Sequence, residues 1–449
     1  MEIAIIGAGY VGLVTAACLA QAGNRVVCID ENTARIAMVR NGQLPFYEPQ
    51  LDDLVAQQRL SGALSFTSDA RVGTNKADII FIAVGTPSGA DGKADVSNVL
   101  SCAAHLSDVI QHACLLVVKS TVPIGTCERI QAMLDARAAR HGEASRITVA
   151  SNPEFLAEGS AIRDFKFPAR IVIGTPTQSA AHLLRQLYAP FNLDGHRLLE
   201  MDIRSAEFAK YACNAMLAAR VSLVNELAVI ADRLGADIQD VCRVVKTDPR
   251  IGPRYLQPGA GYGGSCLPKD VRALIAMALE HGEEAPILRS VDAVNRRQAD
   301  LLLETIVQHF GGNVEGCCVA VWGLSFKPGT DDIRESPSLI LIDRLLNLGA
   351  VVRAYDPAAM PAVSRRIDRP ALWLADSASQ ACEGADALVV MTPWAEFESP
   401  DFGWLAQTLT SKTIFDARHM YSAGTLEQFG LRHYRLQQGA SPIPAPANA

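Results

Sequence analysis

Residues 2–14, EIAIIGAGYVGLV, decide how this chain begins to fold. The β-branched run before the glycines predicts a buried strand, and the apolar residues after them predict a helix. Gly7, Gly9 and Gly12 place the pattern GxGxxG across that junction. The first glycine permits a tight turn, the second lets the backbone approach a pyrophosphate, and the third lets the helix pack on the strand. The stretch therefore predicts the first βα unit of a dinucleotide-binding domain.

An acidic residue ends the next apolar strand, RVVCID, and sharpens that prediction. Asp30 lies near the spacing of about 20 residues at which such domains place an acid on the ribose 2′-hydroxyl. A carboxylate there repels a 2′-phosphate, so the pattern favours NAD over NADP. Arg35 either covers the adenine or lies on the helix surface, and spacing leaves both readings open. A glycine-rich turn with a solvated aspartate is the purely structural alternative.

The β–α alternation continues through residues 77–87, 114–122 and 146–155. Apolar strands alternating with helices predict a parallel sheet covered on both faces. Thr86 in GTP and Thr121 in STV each follow such a strand, at the edge where doubly wound sheets bind ligands. Either triplet could also be an ordinary turn.

The alternation of strand and helix patterns gives way to a helical pattern near residue 203 and returns near residue 317. Residues 203–236 contain no proline and, until their end, no glycine, which predicts a helix of roughly 50 Å at 1.5 Å per residue. The later apolar runs, such as CCVAVWGLSF, repeat the α/β texture. The predicted fold is α/β, with a Rossmann-type domain at 1–200, a helical middle at 201–300, a second Rossmann-like domain at 301–435 and a proline-rich disordered tail at 436–449.

Composition narrows the classes of partner. The 449 residues carry a net charge of −7, which argues against a nucleic-acid or membrane-surface binder. Met1 runs directly into a strand pattern without a signal peptide, and no uncharged run of about 20 apolar residues predicts a membrane span. The 11 cysteines form no CxxC pair. We therefore predict reduced thiols, no metal site and a cytoplasmic protein.

The stretch GYGGSCLPKD, residues 261–270, singles out one of those cysteines. Pro268 favours the first turn of a helix, so Cys266 should lie close to a helix N-terminus. The helix dipole there, with Lys269 nearby, favours the reactive thiolate. Asp270 offers a carboxylate one turn on. A small apolar residue at a helix start is the alternative reading, and local chemistry leaves the two even.

A nicotinamide site together with a reactive thiol suggests a specific chemistry. Removal of hydride from an alcohol leaves an aldehyde, which the thiol captures as a thiohemiacetal; a second oxidation gives a thioester, and hydrolysis gives a carboxylate. The combination predicts a four-electron oxidation of an alcohol to an acid. A two-electron hydroxy-acid dehydrogenase and a non-catalytic sensor of the same ligands are the alternatives.

Two further polar pairs have residues four apart. Glu154 and Glu158 would share a face if their segment were helical, and either could orient water or accept a proton. Lys210 and Asn214 share a face of the predicted long helix. A solvated helix start is the alternative for the glutamates, and spacing does not decide between the two readings. For Lys210 and Asn214 the solvated side of the helix is the default reading.

Taken together, these motifs resemble the UDP-glucose/GDP-mannose dehydrogenase family over residues 1–435. The ordered landmarks are GAGYVG, PFYEP (45–49), GTP, STV, NPEFLAEG, EFAKYACNA (207–215), DPRIG, GYGGSCLPKD, GLSFKPGTDDIRESP (323–337) and FDAR (415–418). The resemblance implies NAD as cofactor, a nucleotide-sugar substrate and a dimer built on the central helix. It also implies that the third domain binds the sugar's nucleotide.

The resemblance also implies residue roles. Cys266 would be the nucleophile, Lys210 and Asn214 would stabilise oxyanions at the sugar C6, and Asp270 with Thr121 would support proton transfer through water. Glu158 would position the hydrolytic water. The implied cofactor contacts are Gly7, Gly9, Tyr10, Val11, Gly12, Asp30, Arg35, Thr86, Thr121, Glu158 and Arg334. The implied substrate contacts are Glu154, Phe155, Leu156, Glu158, Lys210, Asn214, Arg250, Tyr255, Gly263 within the loop 257–263, Lys327 and Arg418.

One residue departs from the pattern of many UDP-glucose enzymes. Leu267 follows the cysteine where those enzymes have an aromatic residue, and leucine is similar to the GDP-mannose enzymes. YAPF (188–191), DPRIG and FDARHMY are similar to bacterial UDP-glucose enzymes. We therefore expect UDP-glucose as substrate, with GDP-mannose or a UDP-N-acetylhexosamine as alternatives.

Overall fold

The computed structural model describes residues 1–142, 144–436 and 439–440. The chain forms two units, one of residues 1–213 with 276–281 and one of residues 214–275 with the chain from 282 onward. The predicted division into three domains is not tested by this partition and stays a prediction. Most of the predicted tail, 436–449, lies outside the described residues.

The first unit alternates strands and helices from its first residues. Its strands are β1 (Glu2–Ile6), β2 (Arg25–Ile29), β3 (Leu64–Thr67), β4 (Ile79–Ile82), β5 (Cys114–Val118), β6 (Ile147–Ser151), β7 (Ile171–Gly174) and β8 (Leu198–Met201). Its helices are α1 (Tyr10–Gln21), α2 (Thr33–Arg40), α3 (Leu51–Leu60), α4 (Ala70–Thr74), α5 (Ser97–Val109), α6 (Thr126–Ala139), α7 (Ala161–Lys166) and α8 (Gln178–Tyr188).

These strands form one sheet in the order β3-β2-β1-β4-β5-β6-β7-β8. All neighbours are parallel except β6 and β7. Consecutive residues of β4 enter different cores, with Ile79 and Phe81 packed on one face and Ile80 and Ile82 on the other. Helices on both faces explain why the strands read as continuous apolar runs. The predicted Rossmann-type domain is confirmed.

Four long or central helices come next: α9 (Ile203–Leu234), α10 (Ile238–Thr247), α11 (Leu267–Glu280) and α12 (Pro286–His309). Helix α9 confirms the predicted long helix, and both α9 and α11 contribute residues to each unit. By length and composition α9 passes a test for a membrane span, which core helices of soluble proteins also pass.

The second unit repeats the α/β architecture. Its strands are β9 (Cys318–Trp322), β10 (Val351–Tyr355), β11 (Leu372–Leu374), β12 (Ala387–Val390), β13 (Thr413–Asp416), β14 (Arg432–Arg435) and β15 (Gly439–Ala440). Its remaining helices are α13 (Pro337–Asn347), α14 (Met360–Arg366), α15 (Ala378–Cys382), α16 (Phe402–Thr408) and α17 (Ala423–Gln428).

The second sheet has the order β11-β10-β9-β12-β13-β14-β15, and its strands are parallel except for β15. Alternate residues of β9 again face opposite cores, Val319 and Val321 on one side and Ala320 and Trp322 on the other. The predicted second Rossmann-like fold is therefore confirmed.

Candidate active site

The glycine turn between β1 and α1 has two glycines fixed by packing and one that faces open space. Gly7 has φ +106°, and a Cβ there would lie 2.6 Å from the carbonyl oxygen of Ala83. A Cβ on Gly12 would lie 1.8 Å from the carbonyl oxygen of Gly7. A Cβ on Gly9 would meet no described heavy atom within 4 Å. The second glycine thus leaves room for a ligand to approach the backbone.

The start of helix α1 suits an anionic ligand. Gly9 is its N-cap residue, and within the described chain no side chain caps this end and no acid lies in the first turn, which contains Tyr10 and Val11. Uncapped amides and the helix dipole favour a phosphate at such a position. The residues of the turn therefore fit the pyrophosphate of NAD.

Asp30 follows β2 and faces the same turn. Its Oδ2 accepts hydrogen bonds from the Ala8 amide at 2.8 Å and from Nη1 of Arg35 at 2.9 Å, and its Oδ1 accepts the Asn32 amide at 2.9 Å. The carboxylate is 6% exposed. Arg35 is thus an ion-pair partner of the ribose-binding candidate rather than an unrelated surface residue.

Thr86 and Thr121 lie at the carboxyl ends of adjacent strands, as predicted. The Thr86 hydroxyl donates to the Thr121 carbonyl at 2.9 Å, and the Ser120 hydroxyl donates to the Val84 carbonyl at 2.6 Å. These bonds tie the ends of β4 and β5 together beside the cofactor turn. Contact of either threonine with a ligand stays a prediction.

Lys210 and Glu154, both predicted site residues, form a buried ion pair in the first unit. Nζ of Lys210 lies 2.9 Å from Oε1 of Glu154, with side chains 3% and 7% exposed. Burial raises the pKa of Glu154, but the charge and hydrogen bond of Lys210 outweigh it, so the pKa lies below its usual value. The ammonium also lies 5.4 Å from the centre of the Phe155 ring. The amide of Leu156 donates to Oε2 of Glu154 at 2.6 Å.

The segment carrying Glu154 and Glu158 is not helical, so the condition under which the two would share a helix face is not met. Residues 152–157 lack regular structure, Glu158 lies in a turn, and α7 starts only at Ala161. Gly159 in this turn has φ +80°, which ends any helical path. The amides of Ala157, Gly159 and Ala161 donate to the carboxylates of Asp164 and Glu48 rather than to the carbonyls of a helix.

Lys119 is a buried cation that the motifs did not single out. Its Nζ donates to Oδ1 of Asn152 at 3.0 Å and lies about 6 Å from the ring centres of Phe81, Phe165 and Tyr188. Burial lowers its pKa to about 8, partly offset by Glu154. A lysine at the end of the apolar run CLLVVK was the available signal.

In the second unit, Cys266 lies immediately before helix α11, as predicted. Its carbonyl accepts the amide of Asp270 at 2.9 Å, the first hydrogen bond of the helix. Its Sγ lies 3.5 Å from the Ser265 hydroxyl, and the residue is half-buried. The position combines solvent access with a helix N-terminus, which favours thiolate.

Asp270 brings two other candidates together. Its carboxylate is 1% exposed and accepts Nδ2 of Asn214 at 2.6 Å and Nζ of Lys269 at 2.5 Å. Asn214 lies one helical turn after Lys210 on α9, so the two share a helix face. The structure thus links the predicted oxyanion-binding amide directly to the predicted proton-transfer carboxylate.

The glycines ahead of Cys266 approach protein rather than open space. A Cβ on Gly263 would lie 2.3 Å from the carbonyl oxygen of Glu335, and one on Gly264 would lie 2.7 Å from the Phe326 ring. The amide of Gly264 donates to the Arg334 carbonyl at 2.9 Å. The two glycines therefore let the cysteine loop lie against the segment 326–335, and contact of Gly263 with substrate stays a prediction.

The remaining substrate and cofactor candidates of the second unit are cationic or lie on loops. Arg418 donates to the carbonyls of Met391 at 2.6 Å and Gly261 at 3.3 Å, and burial lowers its pKa to about 10, which leaves it charged at neutral pH. Arg250 and Arg334 pair with Asp248 and Asp332 on exposed surface. Nζ of Lys327 lies 5.6 Å from the Phe326 ring centre, and Tyr255 is half-exposed with φ +60°.

Family comparisons cover most of the chain. The models of the UDP-glucose/GDP-mannose dehydrogenase family match in three parts: the NAD-binding domain over residues 1–192, the central domain over 204–297 and the UDP-binding domain over 320–423.

Individual relatives match along nearly their full lengths. A UDP-glucose 6-dehydrogenase of Pseudomonas aeruginosa is 47% identical over 434 residues, 96% of each chain. The structure of a UDP-glucose dehydrogenase from Pyrobaculum islandicum has a TM-score of 0.89 at 35% identity and covers 97% of each chain. That of a UDP-D-ManNAc dehydrogenase from Pyrococcus horikoshii has a TM-score of 0.85 at 27% identity, covering 98% of this chain and all of the other.

Proposed function

The chain belongs to the UDP-glucose/GDP-mannose dehydrogenase family of NAD-dependent enzymes, and we propose that it oxidises the C6 alcohol of UDP-glucose to UDP-glucuronate. One observation carries the proposal: half-exposed Cys266 lies immediately before a helix whose first turn holds the buried Asp270 carboxylate against Asn214. A two-electron dehydrogenase needs no such thiol, whereas a four-electron oxidation does.

The first oxidation uses the polar groups of α9 and the start of α11. The glycine turn would hold NAD, which would supply the hydride acceptor for each of the two oxidations at C6, so that two NADH would form per sugar. Lys210 and Asn214 stabilise negative charge on the C6 oxygen. Asp270, with Thr121, receives the hydroxyl proton through water. The product of this step is the C6 aldehyde.

Cys266 then carries the sugar. Its thiolate adds to the aldehyde carbon and forms a C–S bond, and the resulting thiohemiacetal oxygen is stabilised by the same Lys210 and Asn214. After the second oxidation the carbon is held as a thioester. Glu158 positions the water that attacks the thioester, the C–S bond breaks, and the carboxylate product and the Cys266 thiolate form with release of two protons.

Sugar and base specificity is the finer part of the proposal. The relatives named as UDP-glucose enzymes, 47% and 35% identical, support UDP-glucose. Leu267 and the similarity to a UDP-D-ManNAc dehydrogenase favour testing GDP-mannose and UDP-N-acetylhexosamines beside it. Lys327 and Arg418 supply the positive charge that a diphosphate or uronate requires.

Turnover with each nucleotide sugar at saturating NAD tests the proposal. We expect UDP-glucose to give the highest kcat/KM and two NADH per sugar consumed. The Cys266→Ser variant should lose turnover, because a hydroxyl does not replace a thiolate as the nucleophile. One NADH per sugar, or full four-electron turnover by Cys266→Ser, would contradict the mechanism.

A homodimer is part of the same proposal, and helix α9 supports it. From Met216 onward, its exposed large apolar residues Met216, Leu223, Leu227, Ile230 and Leu234 follow a spacing of seven, four, three and four. Such a stripe matches the seam of paired helices. Light scattering should give twice the 48.1 kDa chain mass, and Leu223→Glu should shift it toward the monomer.

A cytoplasmic location completes the proposal. No disulfide bond joins any of the 11 cysteines, all of which lie in the described part of the chain, and they include the nucleophile candidate Cys266. A reducing compartment keeps such thiols available. Fractionation of cells that produce the protein should recover it with the cytoplasmic fraction, and recovery with membranes would contradict this location.

A further inference from the structure

The turn that carries Glu158 is held from two sides by carboxylates that motif reasoning left without a role. Residues 158–160 form a turn immediately before α7, and Glu158 is its first residue. The backbone amides of Ala157, Gly159 and Ala161 all donate to side-chain oxygens. The backbone on both sides of Glu158 is therefore fixed by side chains rather than by regular secondary structure.

Glu48 supplies two of these contacts from 111 residues earlier in the chain. Its Oε2 accepts the Gly159 amide at 2.6 Å, and its Oε1 accepts the Ala161 amide at 2.8 Å. The side chain is buried, with 3% of the residue exposed. A carboxylate so deeply removed from water persists only when donors compensate its lost hydration, and these amides are strong, charge-assisted donors.

Asp164 supplies the remaining contacts from the first turn of α7. Its Oδ2 accepts the Ala157 amide and the Ser160 hydroxyl, each at 3.0 Å. Glu48 and Asp164 thus bind alternate positions of one short loop, which leaves Glu158 little freedom to shift its backbone.

Glu48 also reaches the cofactor turn. Its Oε2 accepts the hydroxyl of Tyr10 at 2.9 Å, and Tyr10 is the first residue of helix α1. Burial, together with the charges of Glu48, Glu158 and Glu154, raises the pKa of Tyr10, so the phenol stays protonated and remains a donor. One buried carboxylate therefore joins the start of the NAD-binding helix to the Glu158 turn.

We propose that Glu48 is a positioning residue for thioester hydrolysis, acting by fixing the backbone on either side of Glu158. The proposal rests on the proposed function, in which Glu158 places the attacking water. Displacement of a catalytic group by about 1 Å can cost on the order of 100-fold in rate. Loosening this turn should therefore slow hydrolysis while leaving the chemistry that precedes it intact.

The test is Glu48→Gln followed by rapid mixing of enzyme, UDP-glucose and saturating NAD. The Gln amide group presents N–H to one of the two backbone amides, so one hydrogen bond is lost at nearly constant volume. We expect a burst of two NADH per Cys266 at the wild-type rate. The steady-state rate that follows should be at least about tenfold slower than that of the wild type. Mass spectrometry of the quenched enzyme should find the sugar thioester on Cys266.

Glu207→Gln is the matched control. Glu207 is also buried, at 2%, and accepts two backbone amides, of Gly125 at 2.6 Å and Cys127 at 2.8 Å. It should lower thermal stability to a similar extent without producing a burst or a trapped thioester. If Glu48→Gln slows the burst and the steady rate equally, as a general loss of folded enzyme would, the proposal is overturned.

Two further variants keep the result decisive. Glu48→Asp retains the charge but shortens the reach, and it should give the same burst if Glu48→Gln does not fold. The double variant Glu48→Gln/Glu158→Gln should hydrolyse no more slowly than Glu158→Gln alone, and multiplied losses would overturn positioning through Glu158. Wild-type stoichiometry is measured first; one NADH per sugar there would overturn the proposed function itself.

Discussion

The two βα junctions that begin the two sheets are built alike and used differently. Gly7 follows β1 with φ +106°, and Gly323 follows β9 with φ +91°. The amide of each glycine donates to the last residue of the adjacent strand, Ile29 at 2.7 Å and Tyr355 at 2.8 Å. A Cβ on either glycine would clash with the residues that follow the neighbouring strand, β4 in the first sheet and β12 in the second. The same tight turn therefore leads the chain out of both sheets.

The two junctions differ in the segment that comes after the glycine. Helix α1 begins at Tyr10, three residues after Gly7, whereas α13 begins only at Pro337, after a loop of 13 residues, 324–336. The first junction thus presents a helix N-terminus beside the turn, and the second presents a loop whose backbone packs against the cysteine segment.

The acids at the ends of the second strands differ in the same way. Asp30 accepts three hydrogen bonds from described groups, one of them from the partly exposed side chain of Arg35. Asp356 is 1% exposed and accepts six, which come from Leu324, Ser325 (amide and hydroxyl), Ala358, Ala359 and Trp394. An acid after the second strand therefore indicates ribose binding only where donors of the protein itself do not already occupy the carboxylate oxygens.

The largest expected contrast is between alanine variants of these two acids. Asp356→Ala leaves several buried donors unsatisfied and should lower the free energy of unfolding by about 4 kcal/mol. Asp30→Ala should cost about 2 kcal/mol at most, because fewer donors lose their partner, and should raise KM for NAD. Chemical denaturation of both variants measures the difference. Equal losses would break the distinction between a structural and a ligand-binding acid.

The glycines should behave alike where the acids do not. Gly7→Ala and Gly323→Ala each combine positive φ with a clash below 3 Å, and each should cost about 3 kcal/mol. Gly23→Ala is the control, since Gly23 has φ +91° but no described atom within 4 Å of its Cβ position; it should cost about 1 kcal/mol. Denaturation midpoints of the three variants test this prediction. If Gly323→Ala lowers the free energy of unfolding no more than Gly23→Ala does, the two turns are not under the same packing constraint.

Local patterns predicted the features that depend on local structure. Buried parallel strands read as apolar runs, so both sheets could be inferred, and Pro268 was enough to place Cys266 at a helix start. The Glu158 turn could not be inferred, because its shape depends on Glu48, whose partners lie 111 and 113 residues away. Likewise, nothing near Asp356 in sequence shows that its oxygens are fully used.

At Gly9, in the first junction, a substitution should affect NAD binding without affecting the stability of the fold. Because a Cβ there meets no described atom within 4 Å and φ is −85°, Gly9→Ala should change the free energy of unfolding by less than about 1 kcal/mol. The added methyl group occupies the space through which a pyrophosphate reaches the backbone, so KM for NAD should rise about tenfold or more. Steady-state kinetics over NAD concentration gives the answer. An unchanged KM would mean that the cofactor does not approach this glycine.

The two sheets also differ in the cation near the end of their fifth strand in sheet order, which is the buried Lys119 in the first and the half-buried Arg418 in the second. Lys119 follows β5 and its amide donates to the Ile82 carbonyl; Arg418 lies one residue beyond Ala417, whose amide donates to the Val390 carbonyl in the same way. Burial lowers the pKa of Lys119 to about 8 and that of Arg418 to about 10. Of the two, the lysine is the one that can lose its proton near neutral pH.

This contrast predicts a pH-dependent stability that belongs to Lys119. The folded-state pKa lies below the unfolded value, so between about pH 8 and pH 10.5 the unfolded chain binds more protons and stability rises with pH. The penalty for burying the charge is fully present below pH 8. Between pH 7 and pH 9 the gain should be about 1 kcal/mol.

The wild-type curve alone does not isolate that gain, because unfolded cysteine thiols ionise in the same range and favour unfolding as pH rises. The informative quantity is the difference between wild type and Lys119→Met, measured by chemical denaturation at pH 7 and pH 9. It should shift by about 1 kcal/mol in favour of wild type at the higher pH. Lys119→Arg, which retains its charge throughout, should show no such gain. If the stability of Lys119→Met changes with pH in parallel with that of the wild type, the Lys119 ammonium is already neutral at pH 7 or its burial is fully compensated. The contrast between Lys119 and Arg418 is then lost.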